Sequence, residues 1–458
     1  MYSKFALAAA IGVGLSAPVA GFAAEDADIQ KVRDEIRELK QSYDARIQQL
    51  EQRLESLQRE SAPVASAAPQ ATSAAPAQAN AFNPAMSLII GGQFATLQRD
   101  PGSWHVGGFI PGVGETGPGA RSFNLGESEL TISANIDPYF SGYVVMSVDG
   151  ADHIAVEEGY VQNSGTIPGV SLKFGRMLSA FGYLNEIHAH AWDFVDAPLV
   201  HQAFFGGKLQ EDGLQARWLA PTPLFVEVGV EGGRGSAFPG SDRNTNGLNS
   251  TLLFAHLGND VGVSGSYRIG ASWRKTRAED RGYEDVDAAG TPVVDAFTGD
   301  STTWGLDFVW KWAPNGNTVE RNFKFQAEYL HRIEDGTLAF DTAARNLAGA
   351  YHSSQSGWYA QGAYQFRPRW RVGLRYDQLD SGSTGIGLVA PRALTAADFP
   401  LLAPNRPKRA TAMIDFSPSE FSRLRLQYAR DEARFAEPDG QVVLQYLMSL
   451  GAHGAHKF

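Results

Sequence analysis

Between Ser179 and Leu209, six side chains able to bind a metal ion fall within sixteen residues: Glu186, His188, His190, Asp193, Asp196 and His201. In a locally extended chain, side chains two apart point the same way, so His188 and His190 can share one divalent ion. Asp193, Asp196 or His201 would complete a nitrogen–oxygen site suited to zinc, or less selectively to copper or nickel. The competing reading is a polar loop that only hydrogen-bonds and packs, and Trp192, Phe194, Phe204 and Phe205 give it an apolar surface to pack with. His453 is a further candidate ligand, whereas His456 falls on the opposite face of a regular strand and would not chelate with it. With no Gly-X-Ser-X-Gly elbow and no His-Glu-X-X-His pair, the residues offer ligand binding and no hydrolytic chemistry. No catalytic or cofactor-binding residue is assigned, and the chain does not read as an enzyme.

The elements that must hold this loop are strands. From Phe82 to Phe458 there is no convincing helix pattern, and sixteen segments of alternating polarity recur. They lie near 86–98, 122–134, 139–149, 154–164, 170–178, 210–220, 224–235, 249–257, 262–278, 301–312, 322–334, 354–366, 370–380, 408–417, 421–434 and 441–458. Short turns carry Pro, Asn or Gly, as at Asp137-Pro138, Pro168-Gly169, Pro221-Thr222-Pro223, Asn259-Asp260, Pro314-Asn315-Gly316, Pro368 and Pro418-Ser419. Most of the other links are long: 99–121, 179–209, 236–248, 279–300, 335–353 and 381–407. Short turns on one side, long loops on the other and an even strand count predict a 16-stranded transmembrane antiparallel β-barrel over 82–458.

The last strand orients the wall. Val442, Leu444, Tyr446, Met448 and Leu450 make the more apolar face and should meet lipid, leaving Val443, Gln445, Leu447, Ser449 and His453 for the lumen. The terminal Phe458 resembles the signal read by the outer-membrane barrel-insertion machinery.

Before the barrel stand three other segments. Lys4, the apolar run Phe5 to Leu15 and the small residues Gly21, Ala23 and Ala24 read as a signal peptide over 1–24. Over 25–60, Ile29, Val32, Ile36, Leu39, Tyr43, Ile47, Leu50, Leu54 and Leu57 form a heptad seam with one longer step at Tyr43–Ile47, predicting a short coiled-coil helix in the periplasm. Residues 61–81 are an Ala/Pro/Ser-rich linker.

Composition agrees and excludes alternatives. A mean hydropathy of −0.23 is too polar for a helical membrane protein. The absence of cysteine removes disulfides and thiolate zinc sites, and a net charge of −11 argues against a nucleic-acid partner. The 49 glycines, 26 phenylalanines, 15 tyrosines and 9 tryptophans suit twisted β-structure with interfacial rings. Arg367, Arg369, Arg371 and Arg375 around one short turn read as lipid-headgroup contacts.

Signal, coiled coil, linker and barrel together resemble the phosphate-selective porin O/P-like group, which implies a trimeric channel. The barrel more closely resembles proteobacterial zinc-regulated TonB-dependent outer-membrane receptors. That likeness rests on Gly182-Tyr183-Leu184-Asn185-Glu186, His188-Ala189-His190-Ala191-Trp192-Asp193-Phe194-Val195-Asp196-Ala197-Pro198, Val309-Trp310-Lys311-Trp312-Ala313-Pro314-Asn315-Gly316 and Met448-Ser449-Leu450-Gly451-Ala452-His453-Gly454-Ala455-His456. In a porin the third long loop, here 179–209, is the one that folds inward. The resemblance therefore implies an outer-membrane channel for passive or facilitated diffusion, with zinc or another divalent metal bound transiently at the constriction and no cofactor required. A channel site must stay weak, or the ion never leaves. Two other readings stay open: a general or anion-selective porin, and a structural barrel tethered through its coiled coil. The expected partners are outer-membrane lipid, small ions or solutes and two further copies of the chain.

Overall fold

The computed structural model describes residues 84–451 apart from 113, 115, 149–153, 164, 166 and 390–393. The signal, coiled-coil and linker segments, and His453, His456 and Phe458, lie outside the described residues.

Seventeen strands form one sheet in which consecutive neighbours are antiparallel. They are β1 (Ala85–Leu97), β2 (Ser122–Asn124), β3 (Ser128–Asn135), β4 (Phe140–Val148), β5 (Ile154–Asn163), β6 (Val170–Leu178), β7 (Gln210–Leu219), β8 (Phe225–Gly233) and β9 (Ser250–Val261). The second half holds β10 (Gly265–Val286), β11 (Pro292–Trp312), β12 (Asn322–Phe340), β13 (Leu347–Arg367), β14 (Trp370–Ile386), β15 (Lys408–Ser419), β16 (Ser422–Glu432) and β17 (Asp439–Gly451). β2 and β3 lie end to end along β1, so the sheet has sixteen staves, and β1 pairs with β17 from Ser87↔Gly451 to Leu97↔Gln441 to close it. Closure leaves no edge strand in the sheet, which is what lets it stand in an apolar medium.

Side chains alternate across the wall as the pleat requires. On β17, Val442, Leu444, Tyr446 and Leu450 are exposed on the outer face, while Val443, Leu447 and Ser449 are buried within. The core is therefore the lumen itself. There the loops 98–121, 179–209 and 387–407 meet the inner wall in two apolar clusters, one around Phe109, Phe181, Phe204 and Tyr359, the other around Phe297, Phe340, Leu394 and Phe399.

Two expectations are corrected. β10 to β13 run for 19–22 residues each, so the predicted loops 279–300 and 335–353 are largely strand, with tight turns at 287–291 and 341–346. Sequence such as Arg277-Ala278-Glu279-Asp280 lacks an apolar outer face because no lipid is needed there, and the backbone ladder alone extends the strand. The barrel segment also contains one short helix, α1 (Leu199–Phe205), inside loop 179–209.

Candidate metal centre

Loop 179–209 lies inside the barrel, and its anchors are specific. Glu328 on β12 accepts from the backbone N–H of Tyr183 and Leu184 at 3.0 and 2.7 Å, and its second oxygen meets His201 Nε2 at 2.8 Å. Asp377 on β14 accepts from the Leu199 N–H at 2.9 Å, meeting an otherwise unpaired donor in the first turn of α1. All seven residues of α1 are buried, and Gly206 ends the helix in the left-handed region at φ 69°, where a side chain would be strained. Full burial of Leu199, Val200, Phe204 and Phe205 contributes of order 10 kcal/mol before the entropy of ordering the loop is subtracted.

The loop is held between two walls of opposite charge. Asp193 meets Lys324 and Arg371, each at 3.1 Å. Asp196 meets Arg375 at 3.0 Å and Arg409 at 2.6 Å, and accepts from Gln427 at 2.9 Å. Burial alone would raise both carboxyls, but the neighbouring cations hold them below the usual carboxylate range. Arg371 and Arg375 thus point inward as loop anchors, a correction to the lipid-headgroup expectation; Arg371 also pairs with Asp415 and Arg375 with Asp377. Cations on β12, β14 and β15 and aspartates on the loop fulfil each other's need for a counter-charge inside the wall.

The histidines face the opposite wall. His188 Nδ1 lies 3.2 Å from Glu157 and 3.2 Å from Glu129, and its Nε2 lies 2.9 Å from Glu158. His190 Nδ1 lies 2.9 Å from the other oxygen of Glu129, and the two imidazoles stack with centroids 5.8 Å apart. One ligand atom from each of Glu129, Glu157 and His188 fits within 4.8 Å of the others. The oxygens of Glu129 are buried and make no hydrogen bond of good geometry among the described residues, although two imidazole nitrogens are at ion-pair distance. Burial pulls the His188 imidazolium toward deprotonation, yet the three carboxylates outweigh it and raise the pKa well above the ordinary value.

Strand geometry explains how two consecutive glutamates reach the lumen. Opposite Val145 and Met146 the register slips, with Val145↔Glu158 followed by Met146↔Val156, so Glu157 is the extra residue of a β-bulge. A bulge re-aims one side chain, and here Glu157 and Glu158 both turn inward and are buried. Beyond this point β5 and β6 pair only from Gly159↔Arg176 to Gln162↔Lys173, and Glu158 takes up the Leu178 N–H at 3.0 Å.

Of the six candidates in the loop, the structure brings together His188 and His190. It places Asp193, Asp196 and His201 with other partners, and Glu186 against Arg217. Glu129, Glu157 and Glu158 escaped the sequence reading, since alternation along Ile154–Asn163 admits only one of two adjacent glutamates to the lumen.

Two cavities flank the histidines. The upper one, on the long-loop side, of about 400 Å³, reaches from Thr116–Ala120 of a long loop to His190, Lys208 and Leu447. The lower one, on the short-turn side, of about 340 Å³, runs from His190 and Leu447 to Arg371, Arg423 and the short turn Ser417–Ser422. His190 and Leu447 line both.

No family model matches the chain. An uncharacterized protein of Aquifex aeolicus (strain VF5) is 31% identical over 359 residues, covering 74% of this chain and 70% of that protein. Among solved structures the chain is similar to the trimer form of OmpT, an outer membrane protein of Vibrio cholerae, at 9% identity and a TM-score of 0.48, covering 80% of this chain and 99% of the other. It is also similar to Pseudomonas putida OprB, at 17% identity and 0.46, covering 80% and 94%. The outer membrane channel DcaP of Acinetobacter baumannii gives 13% identity and 0.46, covering 80% and 97%.

Proposed function

We propose that this chain, which belongs to the same family as the uncharacterized Aquifex aeolicus protein, is an outer-membrane channel for small solutes whose preferred cargo is a divalent metal ion of the zinc class. The observation that carries the reading is the meeting of two cavities at His190, beside a cluster of two imidazoles and three buried carboxylates. Exposed apolar residues on the outer face of a closed barrel support an outer-membrane location. The resemblance to the zinc-regulated group supports zinc as the cargo, and that to the phosphate-selective group supports a homotrimer.

In this reading His188 Nδ1, His190 Nδ1, Glu129 and Glu157 are the exchangeable ligands, a nitrogen–oxygen set of the kind zinc takes. Glu158, accepting from Nε2–H, fixes the ring that presents Nδ1. An imidazolium held among carboxylates is itself a cation in place, and an arriving metal substitutes its charge for that proton.

Single-channel conductance in a planar bilayer, titrated with zinc, tests the proposal beside a His188→Ala/His190→Ala variant. Reversible zinc block lost in the variant is the expected result. Zinc-indifferent conductance in both proteins would remove the metal role, and no conductance would remove the channel. A second reading, an anion-preferring pore, is favoured by Arg371 and Arg423 on the lower cavity. Reversal potential across a salt gradient separates the two by its sign.

A further inference from the structure

The metal cluster reaches the cavities through His190, and its carboxylates stand back from them. Among the residues lining the upper one are Glu127, His190, Trp192 and Lys208, but not Glu129, Glu157, Glu158 or His188. Lys208 stands at that boundary. Its Nζ lies 2.6 Å from Glu157 Oε1, meets Glu127, and sits 5.7 Å from the centroid of the Trp192 ring. The other oxygen of Glu157 faces His188 Nδ1 at 3.2 Å. One carboxylate is thus shared between an ammonium on the cavity side and the imidazole on the cluster side.

The backbone fixes the ammonium there. Gly206 and Gly207 both take positive φ, at 69° and 102°, and turn the chain from α1 to Lys208. On the other side Leu209 donates to Asn185 Oδ1 at 2.7 Å and accepts from the Ser179 N–H at 2.9 Å. With the backbone held at Leu209, the flexible four-carbon stem of Lys208 lets its head leave Glu157 while the loop stays in place.

We propose that Lys208 is a tethered competing cation: an arriving divalent ion must displace its ammonium from Glu157, and the ammonium returns to expel the ion. The inference rests on the reading of the cluster as a divalent-metal site. Docking of the ammonium and binding of the metal share Glu157 and repel each other, so by linkage each weakens the other. That device keeps a buried carboxylate–imidazole site from holding its ion permanently, which conduction requires. Glu127, which the ammonium already meets, keeps it paired after it leaves Glu157.

The test is cobalt binding to the full-length protein in detergent, followed by its d–d absorption, with off-rates from chelator stopped-flow. Lys208→Met keeps the stem and removes the charge; it should tighten binding about tenfold or more and slow release, while Lys208→Arg keeps near-wild-type affinity. Glu127→Gln should weaken binding in the wild-type background, and that effect should shrink when Lys208→Met is also present. Heat-modified gel mobility identifies any variant that fails to fold, and Glu127→Gln then carries the test. Unchanged or weaker binding in a folded Lys208→Met protein overturns the proposal while leaving the metal site standing. Cobalt binding in Lys208→Met but not in wild type supports it in its strongest form. If neither protein binds cobalt, the metal reading of the cluster fails and this inference falls with it.

Discussion

His188 Nε2 stands 2.9 Å from a carboxylate oxygen of Glu158, and this contact determines which ring nitrogen faces Glu129 and Glu157. Glu158 is therefore a positioning residue for the imidazole. Glu158→Gln should weaken zinc binding by about 10–100-fold while leaving ion flow without zinc near wild type. Isothermal titration of the purified protein, paired with conductance in zinc-free buffer, measures both.

Phe204 is fully buried against the inner wall, with Phe109 at 6.0 Å between ring centroids and the Arg332 guanidinium 4.7 Å from the ring. Phe204→Ala should destabilise the packed loop by about 3–5 kcal/mol. The expected result is a lower heat-modification midpoint and a larger, noisier conductance, because the segment that narrows the lumen is held less firmly.

Asp196 neutralises Arg375 and Arg409 at once. Asp196→Asn leaves the two guanidiniums to Asp377 and the more distant Asp431, and the lost charge-assisted bonds should cost about 1–3 kcal/mol. Its carboxyl has a lowered pKa, so the stability it lends is fully present above the ordinary value of 3.8 and is lost only as pH falls through the depressed one. The difference in heat-modification midpoint between wild type and Asp196→Asn should stay level from about pH 7 to about pH 4 and shrink below that.

Leu444 and Gln445 are neighbours on β17 with opposite outlooks, one exposed on the outer face and the other lining the upper cavity. Leu444→Arg should cost about 2–4 kcal/mol if it lies at mid-membrane, whereas Gln445→Arg should fold normally and shift the reversal potential toward anions. Folding yield into lipid vesicles distinguishes the two.

The strands were legible because a wall between lipid and water imposes a two-residue alternation on every stave. β6 was expected at 170–178 and is found at Val170–Leu178, and most other ends fall within a few residues. The tall parts of β10 to β14 were not legible, since above the lipid no apolar face marks them. The two histidines could be read from their spacing, while the inward fold of their loop was only what the porin resemblance implied. Their partners could not: Glu129 and Glu157 are brought to His188 by the register of β3, β4 and β5 and by a bulge, neither of which leaves a local signature. Nor does the sequence hint that Lys324, Arg371, Arg375 and Arg409 come to meet Asp193 and Asp196.

The unequal staves have a consequence for how a solute arrives. β3 to β8 have 8–10 residues each, whereas β10 to β14 have 17–22. At about 3.3 Å per residue, that is about 30 Å of strand on one side against as much as about 70 Å on the other. The rim is therefore slanted, a hood standing over a low sill. Glu129 on β3 and Glu157 on β5 belong to the sill, so these buried carboxylates stand close to the low edge of the rim and away from the tall wall.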